Sequence, residues 1–144
     1  MQTSLNLRKE PFVLLLFTTV ILLFTFTLRP ITTLDFQDKV MFGIPLDNMV
    51  WFIPFFLLTF WLVYLTTNKI LYSTTITWVH VLATVILTLL IVILSYIGFL
   101  PSKGTIERHE LVGNTMQFLA LLFLFGQIFF LLNIGLGIIK RVKA

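Results

Sequence analysis

Four apolar stretches of near-hydrocarbon length dominate the chain: Phe12–Leu28, Met49–Leu65, Ile76–Ile97 and Thr115–Ile139, separated by polar or Pro/Gly-containing connectors. About 20 apolar residues are what an α-helix needs to cross a hydrocarbon layer of ~30 Å. With 144 residues, 58% hydrophobic and 11% charged, and a mean hydropathy of +1.03, the chain has too little polar surface to coat a water-soluble globule. A soluble enzyme is excluded. The sequence predicts an all-α polytopic membrane protein, a bundle of four transmembrane helices. Residues 1–144 then form a single transmembrane domain, since the connectors leave no room for an aqueous one.

The first two segments reach only about 25 Å at helical rise, so flanking Arg29 and Lys69 are expected to snorkel and Trp51 and Tyr64 to sit at the interfaces. Pro11 suits the start of the first helix and Pro30 disfavours helical geometry at Arg29. Pro54 sits a turn or so into the second segment, where a missing donor does little harm. Arg8 and Lys9 before an apolar run resemble a signal peptide, but Arg29, Pro30 and Ile31 offer no small-x-small cleavage site, so an uncleaved first span is expected.

Orientation follows from the cations. Arg8, Lys9, Lys69, Lys140, Arg141 and Lys143 fall on one side, and Arg29, Lys39, Lys103 and Arg108 on the other. The excess predicts an inner-membrane protein with both termini in the cytoplasm. The basic carboxy-terminal residues suit the negative end of the last helix and anionic headgroups, and read as an anchor. The positive residues flank apolar segments without interleaved aromatics, so nucleic acid is not an expected partner. The lipid bilayer is, together with other membrane subunits or further copies of the chain.

With no cysteine, the chain has no disulfide, thiolate metal site or cysteine nucleophile. Function must then be sought among intramembrane polar residues, which are tolerated mainly where they face another helix or a cavity. Thr77, His80, Thr84 and Thr88 recur at three- and four-residue spacings, with Ser95 seven residues on, so they share one helix face directed into the bundle. On the last segment Asn114, Gln117, Gln127 and Asn133 are polar, while Gly126 and Gly137 are small enough to admit a neighbouring backbone. Interhelical hydrogen bonding is the plain reading of all of these.

His80 is the one readily ionisable group well inside a span. Its imidazole could hydrogen-bond to a neighbouring helix, ligate haem iron or bind a quinone carbonyl. His109, the other histidine, lies in the outer connector. From His80 to Ile97 is about 26 Å of helical rise, so the two cannot be axial ligands of one iron. The connector Lys103–Gly113 reads as a solvated outer turn. A His-Glu-x-x-His metal motif starting at His109 fails because Gly113 stands at its last position.

The stretch Thr33-Leu34-Asp35-Phe36-Gln37-Asp38, followed by a helix from Met49 and by Trp78-Val79-His80 in the next one, is similar to a group of small four-helix bacterial membrane proteins that look like a detached piece of haem–copper oxidase subunit I. The resemblance spans residues 31–95. In that family a loop reading Asp-Ile-x-x-His-Asp-Thr-Tyr leads into a helix carrying His-x-His, whose histidines hold haems. Here Gln37 stands in place of the loop histidine, Lys39 in place of threonine, and Asp47, Asn48, Met49 and Val50 supply no His-x-His. The resemblance therefore implies an architecture without its haem ligands.

No catalytic constellation emerges. The sequence predicts a non-enzymatic structural or accessory component of a larger membrane complex, a respiratory one if the resemblance holds, with no cofactor. The alternative is a small haem- or quinone-binding redox subunit, with His80 supplying the ligand and Thr77, Thr84 and Gln127 lining the site. A transporter is disfavoured, since the spans offer no intramembrane carboxylate or basic residue for ion coupling.

Overall fold

The computed structural model describes residues 10–28, 40–41, 44–45, 51–98 and 106–142. Pro11 has no amide hydrogen and tolerates only the opening of a helix. Tight turns follow it: Val13 N–H donates to Glu10 O at 3.2 Å, Leu14 N–H to Pro11 O at 3.0 Å and Leu15 N–H to Phe12 O at 3.1 Å. They open helix α1, Val13–Leu28. Its threonines survive in apolar surroundings by bonding to their own helix. The hydroxyls of Thr18, Thr19, Thr25 and Thr27 each donate to the carbonyl four residues back at 2.8 Å.

Helix α2, Phe52–Thr67, holds Pro54 in its first turn, where an amide would have had no intrahelical acceptor. The sequence places its end at Leu65. The helix instead runs on through Thr66 and Thr67, whose hydroxyls bond back to Val63 O at 2.9 and 2.6 Å. It then tightens into a 3-10 turn, Asn68–Ile70, and Leu71 turns extended.

Helix α3, Thr74–Gly98, starts two residues before the expected Ile76 because Ser73 caps it. Ser73 Oγ accepts the Thr75 N–H at 3.2 Å. Helix α4, Ile106–Val142, has 37 residues and is about 55 Å long. Here the sequence reading is corrected: the connector taken as an outer turn is helical from Ile106. Glu107, Arg108, Glu110 and Leu111 are adequate helix formers. A single glycine at position 113 costs about 1 kcal/mol and does not stop a helix that an apolar run then continues.

Three helical segments are long and apolar enough to cross a membrane: Phe52–Ile70, Thr74–Tyr96 and Asn114–Val142, with 19, 23 and 29 residues. α1, with 16 residues, is shorter. Among the described residues the non-helical element is a two-residue antiparallel ladder, β1 (Val40–Met41) against β2 (Ile44–Pro45). Val40 and Ile44 are β-branched and favour extended backbone, and Pro45 suits an edge. The acidic loop 33–38, the segment 46–50 and the cations Arg8, Lys9, Arg29, Lys39, Lys103 and Lys143 lie outside the described residues.

The helices run antiparallel in pairs. Phe12 at the start of α1 stacks on Tyr64 near the end of α2, ring centroids 5.7 Å apart, and Phe26 at the far end meets Trp51 edge-on at 5.9 Å. α3 packs along α4, with the start of one beside the end of the other: Tyr72 N–H donates to Asn133 O at 3.2 Å. At the same end an Arg141 Nη2–H donates to Lys69 O at 3.2 Å, and Lys140 Nζ lies 5.7 Å from the centre of the Tyr72 ring. The interior holds Phe12, Leu15, Leu22 and Phe26 of α1, Leu57 and Tyr64 of α2, Val81 and Val92 of α3, and Phe130 of α4. Many large apolar side chains face outward, Phe24, Phe55, Phe118, Phe125 and Leu131 among them. Water would coat such a surface poorly.

Candidate functional site

The three- and four-residue rhythm on α3 places Thr77, His80, Thr84 and Thr88 on one face, and all four are buried. His80 is fully enclosed, and both of its ring nitrogens have partners. Nδ1 lies 2.9 Å from the Tyr64 hydroxyl on α2, and Nε2 lies 2.8 Å from Gln127 Oε1 on α4. The direction of these bonds follows from Gln127. Its Nε2 donates to Phe123 O at 2.9 Å, which leaves Oε1 as the acceptor toward the ring. His80 therefore carries its hydrogen on Nε2 and presents the Nδ1 lone pair to the Tyr64 O–H, which donates. Thr84 Oγ1, 3.3 Å from Nε2, is a longer second acceptor for the same hydrogen.

Three aromatic rings close around the imidazole. Phe60, Tyr64 and Phe130 have centroids 5.4, 5.6 and 5.3 Å from it. Phe60 and Tyr64 meet Phe130 nearly edge-on at 5.1 and 4.9 Å, the arrangement the ring quadrupoles favour. This knot joins α2, α3 and α4 at one depth.

One turn toward the start of α3 lies a second polar junction, centred on Asn133. Its Oδ1 accepts the Ser73 N–H at 2.9 Å, and its Nδ2 donates to Thr77 Oγ1 at 2.8 Å. The Thr77 hydroxyl in turn donates to Ser73 O at 3.1 Å. Asn133 thus supplies α4's partner for an amide that the first turn of α3 leaves without an intrahelical acceptor. Gly137, one turn on, lets the connector approach. A Cβ there would overlap the Ile70 carbonyl oxygen and lie 3.0 Å from the Tyr72 amide nitrogen.

Of the residues the sequence singles out, His80, Thr84 and Gln127 meet, whereas Thr77 is engaged by Ser73 and Asn133. The side chains of Asn114 and Gln117 are exposed and make no hydrogen bond among the described residues. A Cβ at Gly126 would have nothing within 4 Å, so its smallness serves no close approach. Tyr64, expected at an interface, is instead fully buried against His80. A signal for that pair exists in the sequence, since residues 64 and 80 are equidistant from Tyr72 and an antiparallel hairpin turning there puts them at one level.

Chemically, the junction is saturated. Iron ligation by His80 would require a ring nitrogen to give up a present partner. No group of three His, Asp or Glu side chains suited to a metal occurs among the described residues. No protein-family model, curated protein or solved structure matches the chain.

Proposed function

We propose that the chain is an integral protein of the cytoplasmic membrane, crossing it four times with both termini inside, and that it serves as a structural or accessory subunit of a larger membrane assembly. The observation that carries this reading is the saturation of the two buried polar junctions at His80 and Asn133. Both ring nitrogens of His80 and both side-chain heteroatoms of Asn133 bond to neighbouring elements. Groups so engaged fix helices to one another. Lys69, Lys140 and Arg141 at one end of the bundle suit a cytoplasmic face, and the apolar exterior suits lipid and partner helices. A respiratory setting rests on the resemblance of residues 31–95 alone.

The test is to purify the tagged chain from its own membranes in mild detergent, identify what accompanies it and record an optical spectrum of wild type and His80→Ala. A colourless protein that copurifies with larger membrane subunits is expected. A Soret band that disappears in His80→Ala would overturn the reading and make the chain a haem subunit.

A further inference from the structure

On the far side of the aromatic knot, residues of α2, α3 and α4 line a cleft of about 460 Å³, within the ~300–1,000 Å³ range of ligand sites. Its walls are apolar and largely aromatic, from Phe52, Phe55, Phe56 and Phe123, with Ala120 at the side and Thr88 among the lining residues.

Thr88 is the anomaly. Most helical threonines among the described residues return their hydroxyls to their own backbone, as Thr59 does to Phe55 O at 2.9 Å and Thr115 to Leu111 O at 2.8 Å, and Thr74 and Thr75, which do not, are exposed at the start of α3. Thr84 uses its oxygen at His80. Thr88 is 3% exposed, and its hydroxyl makes no hydrogen bond among the described residues. A buried donor without an acceptor is costly, and the cleft is where an acceptor can enter.

The depth selects the acceptor. Thr88 lies 14 residues beyond Thr74 and 10 before Gly98, about 21 Å and 15 Å along α3. In the membrane-spanning reading, on which this step rests, that position is well inside hydrocarbon. The ester carbonyls of phospholipids, held at the headgroup boundary, do not reach it, and an acyl chain offers no acceptor.

We propose that the cleft binds an uncharged, membrane-soluble molecule bearing a carbonyl on a flat ring, the ring lying against the phenylalanines and the oxygen accepting the Thr88 hydroxyl. The probe is a decyl-substituted para-benzoquinone, titrated into the full chain in phosphatidylcholine nanodiscs while tryptophan fluorescence is followed. Saturable quenching is expected. Thr88→Val should weaken the affinity about tenfold, the size of one hydrogen bond, Thr88→Ser should retain it, and Ala120→Phe, which fills the cleft, should abolish saturation. Quenching that merely tracks quinone partitioned into the bilayer would overturn the proposal. So would an unchanged affinity in Thr88→Val with equal displacement by decane, which would make the cleft an acyl-chain groove. Neither result touches the four-span topology, which site-directed labelling tests separately.

Discussion

Replacing Gly137 with alanine would drive a methyl group into the Ile70 carbonyl, and because the obstacle is backbone, no rotamer change can relieve it. The expected loss is about 1–3 kcal/mol, read as a lower thermal midpoint in detergent, whereas Gly126→Ala, with open space around it, should be near neutral. Asn133→Leu keeps the branched side-chain skeleton but leaves the Ser73 amide without its acceptor and takes from Thr77 Oγ1 the amide that donates to it. A cost of about 1–3 kcal/mol is expected. Tyr64→Phe removes one hydroxyl from the knot and keeps the ring. Interhelical hydrogen bonds in membranes average about 0.6 and reach about 1.7 kcal/mol, so a small loss should accompany a shifted His80 Nδ1 resonance in nitrogen-15 spectra, with the hydrogen still on Nε2. A hydrogen found on Nδ1 in the wild type would contradict the assigned bond directions. At this scale the sequence reveals which α3 residues share a face, because period and polarity suffice. It conceals the role of Asn133, whose partners include a backbone amide that no side-chain pattern records.

Element boundaries were legible where punctuation is chemical and misread where it is compositional. Pro11 marks the opening of α1, and Pro54 in the first turn of α2 does not disturb it. Thr66 and Thr67 look like a terminus but extend α2, because hydroxyls that bond back to the preceding turn let threonine persist in a helix. Ser73, followed by Thr74 and Thr75, is an N-cap that periodicity alone passes over. The charged residues 107–110 and Gly113 resemble a turn, yet α4 is continuous from Ile106. Backbone carbon-13 shifts in detergent should therefore be helical through residues 106–113. Coil values there would restore a turn and shorten α4 to its apolar part.

Taken whole, the molecule is a set of helices with a strongly apolar exterior, whose interior polar groups tie α2, α3 and α4 together at His80 and α3 to α4 at Asn133. The helical class was legible because hydrocarbon-length apolar runs admit few alternatives, and three of the helices are long and apolar enough to cross a membrane. The equal spacing of Tyr64 and His80 about Tyr72 hints at their pairing, but the meeting with Gln127 was not legible, since it depends on where the longer connector turns. The proposed role and the proposed ligand both require a chain that alternates across a bilayer. Because it has no cysteine of its own, single cysteines report position without interference. Lys69→Cys and Lys103→Cys can be probed in intact cells with a membrane-impermeant maleimide. The account predicts that Lys103→Cys labels from outside while Lys69→Cys labels only after permeabilisation; equal labelling of both from one side would contradict it.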